Sequence, residues 1–347
     1  MQAATIEAVR AKGPASPLPS FRQAAARLKA QRQAALDETS DVIVAHLASS
    51  VALIPEVARH LIGAGGKRLR PLLTLAAAEA CGYDGDGDKM LAAAVELIHA
   101  ATLLHDDVVD DSGLRRGLAT ANVVFGNKES VLVGDFLFAR AFELMVKTGS
   151  MDVLGILSAA SCTISEGEVL QLETQGNLAT TEAMYEAVVR AKTAALFSAA
   201  TRSGAALAGA PASIEAALTE YGDRFGIAYQ IVDDALDYEG EDTATGKRAG
   251  DDFREGKVTL PVILAHRAAR TPEETAFWTR TIETRDQREG DFARAQALMA
   301  RDGLVDRALA VARGHAAAAA DALGALPPTP LRDTLEALAL SSVVRGA

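Results

Sequence analysis

An all-α fold is the expectation for this chain, and three observations carry it. Apolar residues make up 49% of the 347, rich in Ala and Leu, while aromatics reach only 5%. Few windows show the β-branched alternation that marks strands, whereas apolar residues recur at helical spacing over long stretches. Glycines and prolines stand mainly where such stretches start or stop.

Each element follows in order. Residues 1–20 are weakly patterned and end in Gly13-Pro14-Ala15-Ser16-Pro17-Leu18-Pro19-Ser20, so they read as a loose arm. Helical periodicity runs from Phe21 through Leu53 and breaks at Gly63-Ala64-Gly65-Gly66. Pro71 suits the first turn of a helix reaching Ala80, because its missing N–H is one of the donors a first turn leaves unpaired anyway. After the turn-rich Gly82–Asp88, a long helix covers Lys89–Asp110, and Ser112–Asn122 is a basic, polar loop. Helices are expected at Ser130–Lys147, Val153–Thr174, Thr181–Ala208 and Ile214–Tyr238. Glu239–Lys257 is a Gly- and charge-rich loop, Pro261 opens another helix, and Gly303 and Pro327-Pro328 punctuate the rest. With no linker or composition shift, residues 21–347 read as a single domain.

Composition excludes several functions. A net charge of −11 and a pI near 5.1 argue against nucleic acid as a partner, since phosphate backbones need a basic face. Met1–Lys12 lacks the apolar core of a signal peptide. The most apolar stretch, Met90–Leu104, is too short to span a bilayer and contains Glu96 and His99. Cys81 and Cys162 lie in apolar helical context and read as reduced core thiols of a cytoplasmic protein.

Two acidic clusters need a physical reason. His105-Asp106-Asp107-Val108-Val109-Asp110-Asp111 and Gln230-Ile231-Val232-Asp233-Asp234-Ala235-Leu236-Asp237 both contain DDxxD within apolar helices. Acidic side chains are rarely buried without partners. Positions i and i+4 share a helix face, so Asp106 projects with Asp110 and Asp233 with Asp237, while Asp107 and Asp234 point aside. Mg²⁺ takes a few carboxylates plus waters and substrate phosphate, and helix C-termini favour cations. For one such cluster a solvated acidic helix end explains as much; two, each ending a long apolar helix, point to metal.

Basic residues in an otherwise acidic chain then become informative. Lys67, Arg68 and Arg70 follow a Gly-Gly turn, Arg115 and Arg116 follow the first cluster, Lys192-Thr193 lies on an apolar helix, and Lys247 and Lys257 follow glycines after the second cluster. Such residues beside acidic metal sites suit phosphate, which Arg grips bidentately; singly, each is surface charge. Gly65-Gly66-Lys67 is not a nucleotide P-loop, because Arg68 stands where Ser or Thr is required.

In this order the motifs resemble the trans-isoprenyl diphosphate synthases, or polyprenyl synthetases. The matching residues are Gly65-Gly66-Lys67-Arg68-Leu69-Arg70-Pro71, Leu103-Leu104-His105 through Asp110 with Arg115-Arg116-Gly117, and Gly167-Glu168 with Gln171. Lys192-Thr193, Phe225-Gly226, Tyr229-Gln230, Asp233 through Asp237, Gly246-Lys247, Gly250-Asp251-Asp252 and Gly256-Lys257 complete the set. The match covers about residues 40–270; the arm and Thr271–Arg301 carry no family motif.

The resemblance implies long helices around a central cavity, a homodimer, and addition of isopentenyl diphosphate to an allylic (geranyl or farnesyl) diphosphate. It implies Mg²⁺, three ions per active site, with Mn²⁺ as substitute. Asp106, Asp110 and Asp233 resemble direct metal ligands, with Asp107, Asp234 and Asp237 supporting them through water. Arg115, Lys192 and Lys247 resemble allylic diphosphate ligands; Lys67, Arg70, His99 and Arg116 resemble the isopentenyl diphosphate site. Thr193 and Gln230 would face the developing carbocation, and Lys257 would complete the closed site as part of a glycine-rich lid. His99 reads as a diphosphate hydrogen-bond donor.

Product length is the remaining expectation. Ala101 and Thr102 lie one turn before Asp106, about 6–7.5 Å along the helix, and both are small. Family members making short chains place bulky aromatics there, so an open tunnel and an octaprenyl-to-decaprenyl product, a quinone-tail precursor, are expected. The floor would lie deeper, on the Phe136–Met151 helix, and the product would leave through transient membrane contact. Competing readings are a short-chain (farnesyl or geranylgeranyl) synthase, a class I terpene cyclase and a non-catalytic synthase subunit. The cyclase leaves Lys67, Arg70 and His99 without a purpose; the subunit type loses an acidic motif, and both are intact here.

Overall fold

The computed structural model describes residues 18–63, 65–115, 117–239 and 249–344. Most of the expected arm, together with Arg116 and Lys247, lies outside the described residues. The first helices are α1 (Phe21–Gln31), α2 (Gln33–His46), α3 (Leu53–Gly63) and α4 (Leu69–Ala80). The Phe21–Leu53 run is thus two helices and a loop. Arg32 ends α1 outside α-helical geometry (φ −116°, ψ 13°). Ser20 starts α1 with a reciprocal side-chain cap to Gln23, which satisfies two first-turn donors.

The central helix α5 (Gly87–Val109) buries residues on every side, including Leu91, Ala94, Leu97, Ile98, Ala101 and Leu104. A helix apolar all round belongs inside a core. Beyond it, the polar loop forms a small antiparallel hairpin, β1 (Leu114–Arg115) with β2 (Leu118–Ala119), which sequence periodicity is too short to reveal. Then come α6 (Ala121–Phe125), α7 (Asn127–Lys147) and α8 (Met151–Thr174).

The expected Thr181–Ala208 helix begins as α9 (Glu182–Val189), with Thr181 capping its first turn. It passes through a π-helical turn at Arg190–Ala194 and continues as α10 (Ala195–Leu207). Next is α11 (Ala212–Leu236), followed by the short α12 (Asp251–Glu255), α13 (Leu260–Arg267) and α14 (Pro272–Trp278). A second π-turn, Thr279–Glu283, precedes α15 (Asp291–Arg301), α16 (Leu304–Ala322) and α17 (Pro330–Ser341).

Three apolar clusters fill the interior: one between α5, α7 and α8, one between α11, α13, α14 and α16, and one joining α1, α4, α10 and α17. By length and composition α8 could cross a membrane, a point the chain's apolar maximum at Met90–Leu104 did not suggest. One face contacts α10, α7 and the first π-turn and carries Glu168 to the central cavity, while its other face, with Val169 and Leu172, is exposed. Cys81 is half-buried at the end of α4 and Cys162 is exposed on α8. The expectation of two core thiols is therefore corrected: Cys162 falls on the outer face of its helix.

Candidate active site

The two acidic clusters end α5 and α11 and meet across one cavity of about 410 Å³. Asp106 and Asp110 reach it from α5, Asp233 and Asp234 from α11, Glu168 from α8 and Asp252 from α12. Against these six carboxylates stand four permanent cations on the wall, Arg70, Arg115, Lys192 and Lys257. The acid excess leaves room for added cation. Desolvation, with Glu168 and Asp110 nearby, raises the Asp106 carboxyl to about 7 despite Lys192. Burial likewise raises Asp234 to about 6, against hydrogen bonds from Tyr185 and Gln230. A buried carboxylate held so high is one whose charge lacks sufficient compensation.

Among the described residues, no three His, Cys, Asp or Glu side chains converge enough to form a metal cage by themselves. The donor set nonetheless fits Mg²⁺, which keeps several waters and shares its shell with substrate phosphates. Asp106 and Asp110 from α5, and Asp233 with Asp234 from α11, face the shared space. Asp237, expected to project with Asp233, is not among its lining residues and is held by the backbone of α12 instead.

The middle acids do something different. Asp107 is 1% exposed and accepts both Nε and Nη2 of Arg115 on one oxygen, at 2.9 and 2.7 Å. The hairpin presents that arginine, and Asn122 donates to the Asp107 backbone carbonyl at 3.1 Å. Asp234 accepts the Tyr185 hydroxyl at 2.5 Å and Gln230 Nε2 at 2.8 Å. Asp237 accepts the backbone N–H groups of Asp251 and Asp252 at 3.3 and 3.1 Å, tying α11 to α12. Thus α12, which carries the approach to Lys257, hangs from the end of the second cluster.

Lys192 and Thr193 stand on the first π-turn. Lys192 donates to Glu168 at 2.6 Å and lies 3.9 Å from Asp106. Thr193 donates to Gln230 Oε1 at 2.9 Å. Two glycines press on this turn from opposite helices. A Cβ on Gly167 of α8 would come within 2.8 Å of the Lys192 backbone nitrogen, and one on Gly226 of α11 within 2.6 Å of Ala194 Cα. Side chains at these positions would force the turn out of place.

Arg70 lies 4.2 Å over the Phe197 ring, and its Nη1 is 3.2 Å from His99 Nε2. Since Arg only donates, His99 accepts there, which leaves Nδ1 as its N–H donor. Burial lowers the Arg70 guanidinium to about 10, still charged at neutral pH, and its buried Nε has no hydrogen-bond partner. Arg68, in contrast, is taken up by Glu96 at 2.7 Å. Lys67 is exposed beside the cavity, its ammonium 4.9 Å from the Phe21 ring and 5.7 Å from that of Tyr229.

Lys257 is 2.5 Å from Glu255, 3.4 Å from Asp110 and 3.9 Å from Asp252. These carboxylates raise its ammonium well above the usual lysine value even though burial lowers it. Its turn is clamped: Gly176 N–H donates to the Gly256 carbonyl at 3.2 Å, and Gln287 Nε2 to the Phe253 carbonyl at 2.7 Å.

Thr102 and Leu103 line the cavity one turn before Asp106. Ala101 is fully buried in the cluster shared with Leu137 and Ala141 of α7. Adjacent residues turn by 100° on a helix, so Ala101 and Thr102 face different neighbours. The helix expected at Phe136–Met151 is the second half of α7, ending at Lys147, and it adds Phe136, Phe138 and Phe142 to that cluster.

A family model described as polyprenyl synthetase matches residues 51–299. The chain belongs to that family. It is 43% identical over 305 residues to the octaprenyl diphosphate synthase of Escherichia coli K12, covering 87% of this chain and 93% of that one. It is 48% identical over 246 residues to an all-trans-nonaprenyl-diphosphate synthase (geranyl-diphosphate specific) of Rhodobacter capsulatus, covering 71% and 74%. Among solved structures, a polyprenyl synthase of Caulobacter crescentus complexed with calcium and isoprenyl diphosphate superposes with a TM-score of 0.90 at 50% identity, over 93% of this chain and 98% of that one. A decaprenyl diphosphate synthase of Rhodobacter capsulatus does so with a TM-score of 0.88 at 53% identity, over 92% and 98%.

Within this polyprenyl synthetase, sequence reasoning missed Tyr185 and gave Glu168 and Asp252 no role. Tyr185 precedes Lys192 by seven residues, two helical turns on the same face, so its spacing held a signal. The contact of Glu168 with Lys192 joins segments 24 residues apart, which no local pattern displays, whereas Asp252 and Lys257 share one turn.

Proposed function

We propose that this chain is a Mg²⁺-dependent long-chain all-trans polyprenyl diphosphate synthase. The observation that carries the reading is the single cavity where two opposed DDxxD clusters and four permanent cations converge. An allylic diphosphate needs that combination, because breaking its C1–O bond leaves a carbocation and a highly charged diphosphate. When bound, Mg²⁺ neutralises diphosphate oxygens and stabilises the leaving group; Asp106, Asp110 and Asp233 would hold it, supported by Asp107, Asp234 and Asp237.

The chain's own residues perform the rest. Arg115 and Lys192, together with Lys247, bind the allylic diphosphate, and Lys67, Arg70, His99 and Arg116 bind isopentenyl diphosphate. Groups already aimed at the leaving oxygens stabilise the charge that develops in the transition state. The isopentenyl double bond attacks C1, forming the new C–C bond. A proton is then lost from the condensed chain to the departed diphosphate, restoring a double bond. Thr193 and Gln230 face the cation, and Lys257 closes the site against water, which would quench it to an alcohol.

The small Thr102, on the cavity wall one turn before Asp106, supports a long product, while Ala101 is packed behind that wall against α7. We place the floor deeper on α7, and assign the product to the octaprenyl-to-decaprenyl range, a quinone-tail precursor. Residues 21–347 act as one catalytic unit in the cytoplasm. Exposed Val123, Val124, Leu132, Val169 and Leu172 on α6–α8 suit contact with a second copy in a homodimer. Incubation with Mg²⁺, farnesyl diphosphate and labelled isopentenyl diphosphate tests the reading. Products of 40 to 50 carbons are expected, taking about five carbons per added unit; a cyclic hydrocarbon, a C15–C20 product or no turnover would overturn it.

A further inference from the structure

Resting on the condensation function just proposed, we infer that Tyr185 is a positioning residue whose hydroxyl, through Asp234 and Gln230, fixes the orientation of the Thr193 hydroxyl at the cavity wall. The chain of bonds runs across two helices. Tyr185, on α9, is 7% exposed and packs in the cluster that contains Val189 and Ile231. Its hydroxyl is 2.5 Å from Asp234 Oδ2, Gln230 Nε2 is 2.8 Å from Asp234 Oδ1, and Thr193 Oγ1 is 2.9 Å from Gln230 Oε1.

These three bonds have one direction. A carboxylate only accepts, so Tyr185 must donate to one oxygen and the amide nitrogen of Gln230 to the other. With the nitrogen turned toward Asp234, the amide oxygen faces Thr193. Oγ1 therefore gives its one proton to Gln230, and only its lone pairs remain. Thr193 and Gln230 both line the cavity, so a cation formed there meets an acceptor and not an O–H.

Asp234 holds this polarity only while both of its oxygens are engaged. It is 5% exposed, and without the Tyr185 hydroxyl, Oδ2 would be a buried acceptor lacking a donor. Such a group costs free energy until it finds one. Rotation toward the cavity is open to it, because Asp234 also lies on the wall; that rotation would take the Gln230 amide with it and release Thr193. Tyr185, whose ring also reaches the cavity wall, thus acts on the Thr193 hydroxyl through two intermediaries.

Tyr185→Phe keeps the buried ring and removes only the hydroxyl. Its kcat is expected to fall about 10- to 100-fold, the scale of a misplaced reacting group, with KM for both diphosphates within about twofold. Thr193→Ala should mask it: in that background, Tyr185→Phe should lower kcat no further. An unchanged kcat, a loss that multiplies with that of Thr193→Ala, or a loss confined to KM would overturn the inference. Should Tyr185→Phe not fold, Gln230→Glu, which places a second acceptor against Asp234, is read by the same cycle. Wild-type turnover separates the two claims: no prenyl product from the wild type defeats the function and this inference together, whereas normal turnover with a multiplicative cycle defeats only the role of Tyr185.

Discussion

Gly226→Ala isolates the glycine clamp on the Lys192 turn. Gly226 is buried in α11, and an added Cβ would lie 2.6 Å from Ala194 Cα, 2.9 Å from Ala194 Cβ and 3.1 Å from Phe197 Cδ2. Carbons touch comfortably at about 3.5 Å, so the π-turn or α11 must move by roughly 1 Å. Overpacking of this kind costs about 1–3 kcal/mol, while replacing a helical Gly by Ala returns about 1 kcal/mol of propensity. The net loss is about 0–2 kcal/mol, which is a few degrees of Tm at most for a chain of this size. The chemical cost should be far larger. A 1 Å displacement of catalytic groups can lower the rate about 100-fold, and Ala194 directly follows Lys192-Thr193 in the turn. Gly314→Ala serves as control: it lies in α16 with open space around it, so it should raise stability by about 0.5–1 kcal/mol at unchanged kcat. Thermal melts and steady-state elongation with farnesyl diphosphate read both. If Gly226→Ala turns over like wild type, the close approach is incidental and the clamp argument fails.

Ala101→Tyr should shift the product distribution toward shorter chains at similar initial condensation rate, resolved by chromatography of the dephosphorylated products; unchanged length would remove Ala101 from the tunnel. Arg115→Gln should cost about 3–5 kcal/mol, because Asp107 is left buried without its ion pair; a melt near wild type would show that Asp107 finds another donor. Stability without metal should fall as pH rises. The Asp106 and Asp234 carboxyls are raised to about 7 and about 6 by burial, so their contribution is full below the unfolded value near 4 and is lost as pH climbs through the folded values. Melts in chelator from pH 4 to 8 should show this decline, and Mg²⁺ with diphosphate should flatten it; a rise in Tm over that range would contradict the assignment. Gly256→Ala combines a strained φ of +68° with a Cβ 2.9 Å from the Ile282 carbonyl oxygen, so kcat should drop through Lys257 displacement, with the far helices undisturbed by hydrogen exchange.

Composition and spacing alone determined that the chain is helical and that two DDxxD clusters would stand at the ends of long apolar helices. The reason is that helical periodicity and DDxxD spacing are local quantities, legible within a few turns. The π-turn under Lys192 escaped them, because one extra residue in a helical turn leaves no distinct pattern and is stabilised by Gly167 and Gly226 from other helices. The role of the middle acids was also beyond local reading. That Asp107 belongs to Arg115, and Asp234 to Tyr185 and Gln230, depends on which distant donors reach a buried oxygen. Only the packing of α5, α8, α9 and α11 around one cavity brings those donors there, and so separates the carboxylates that face it from those that brace its walls.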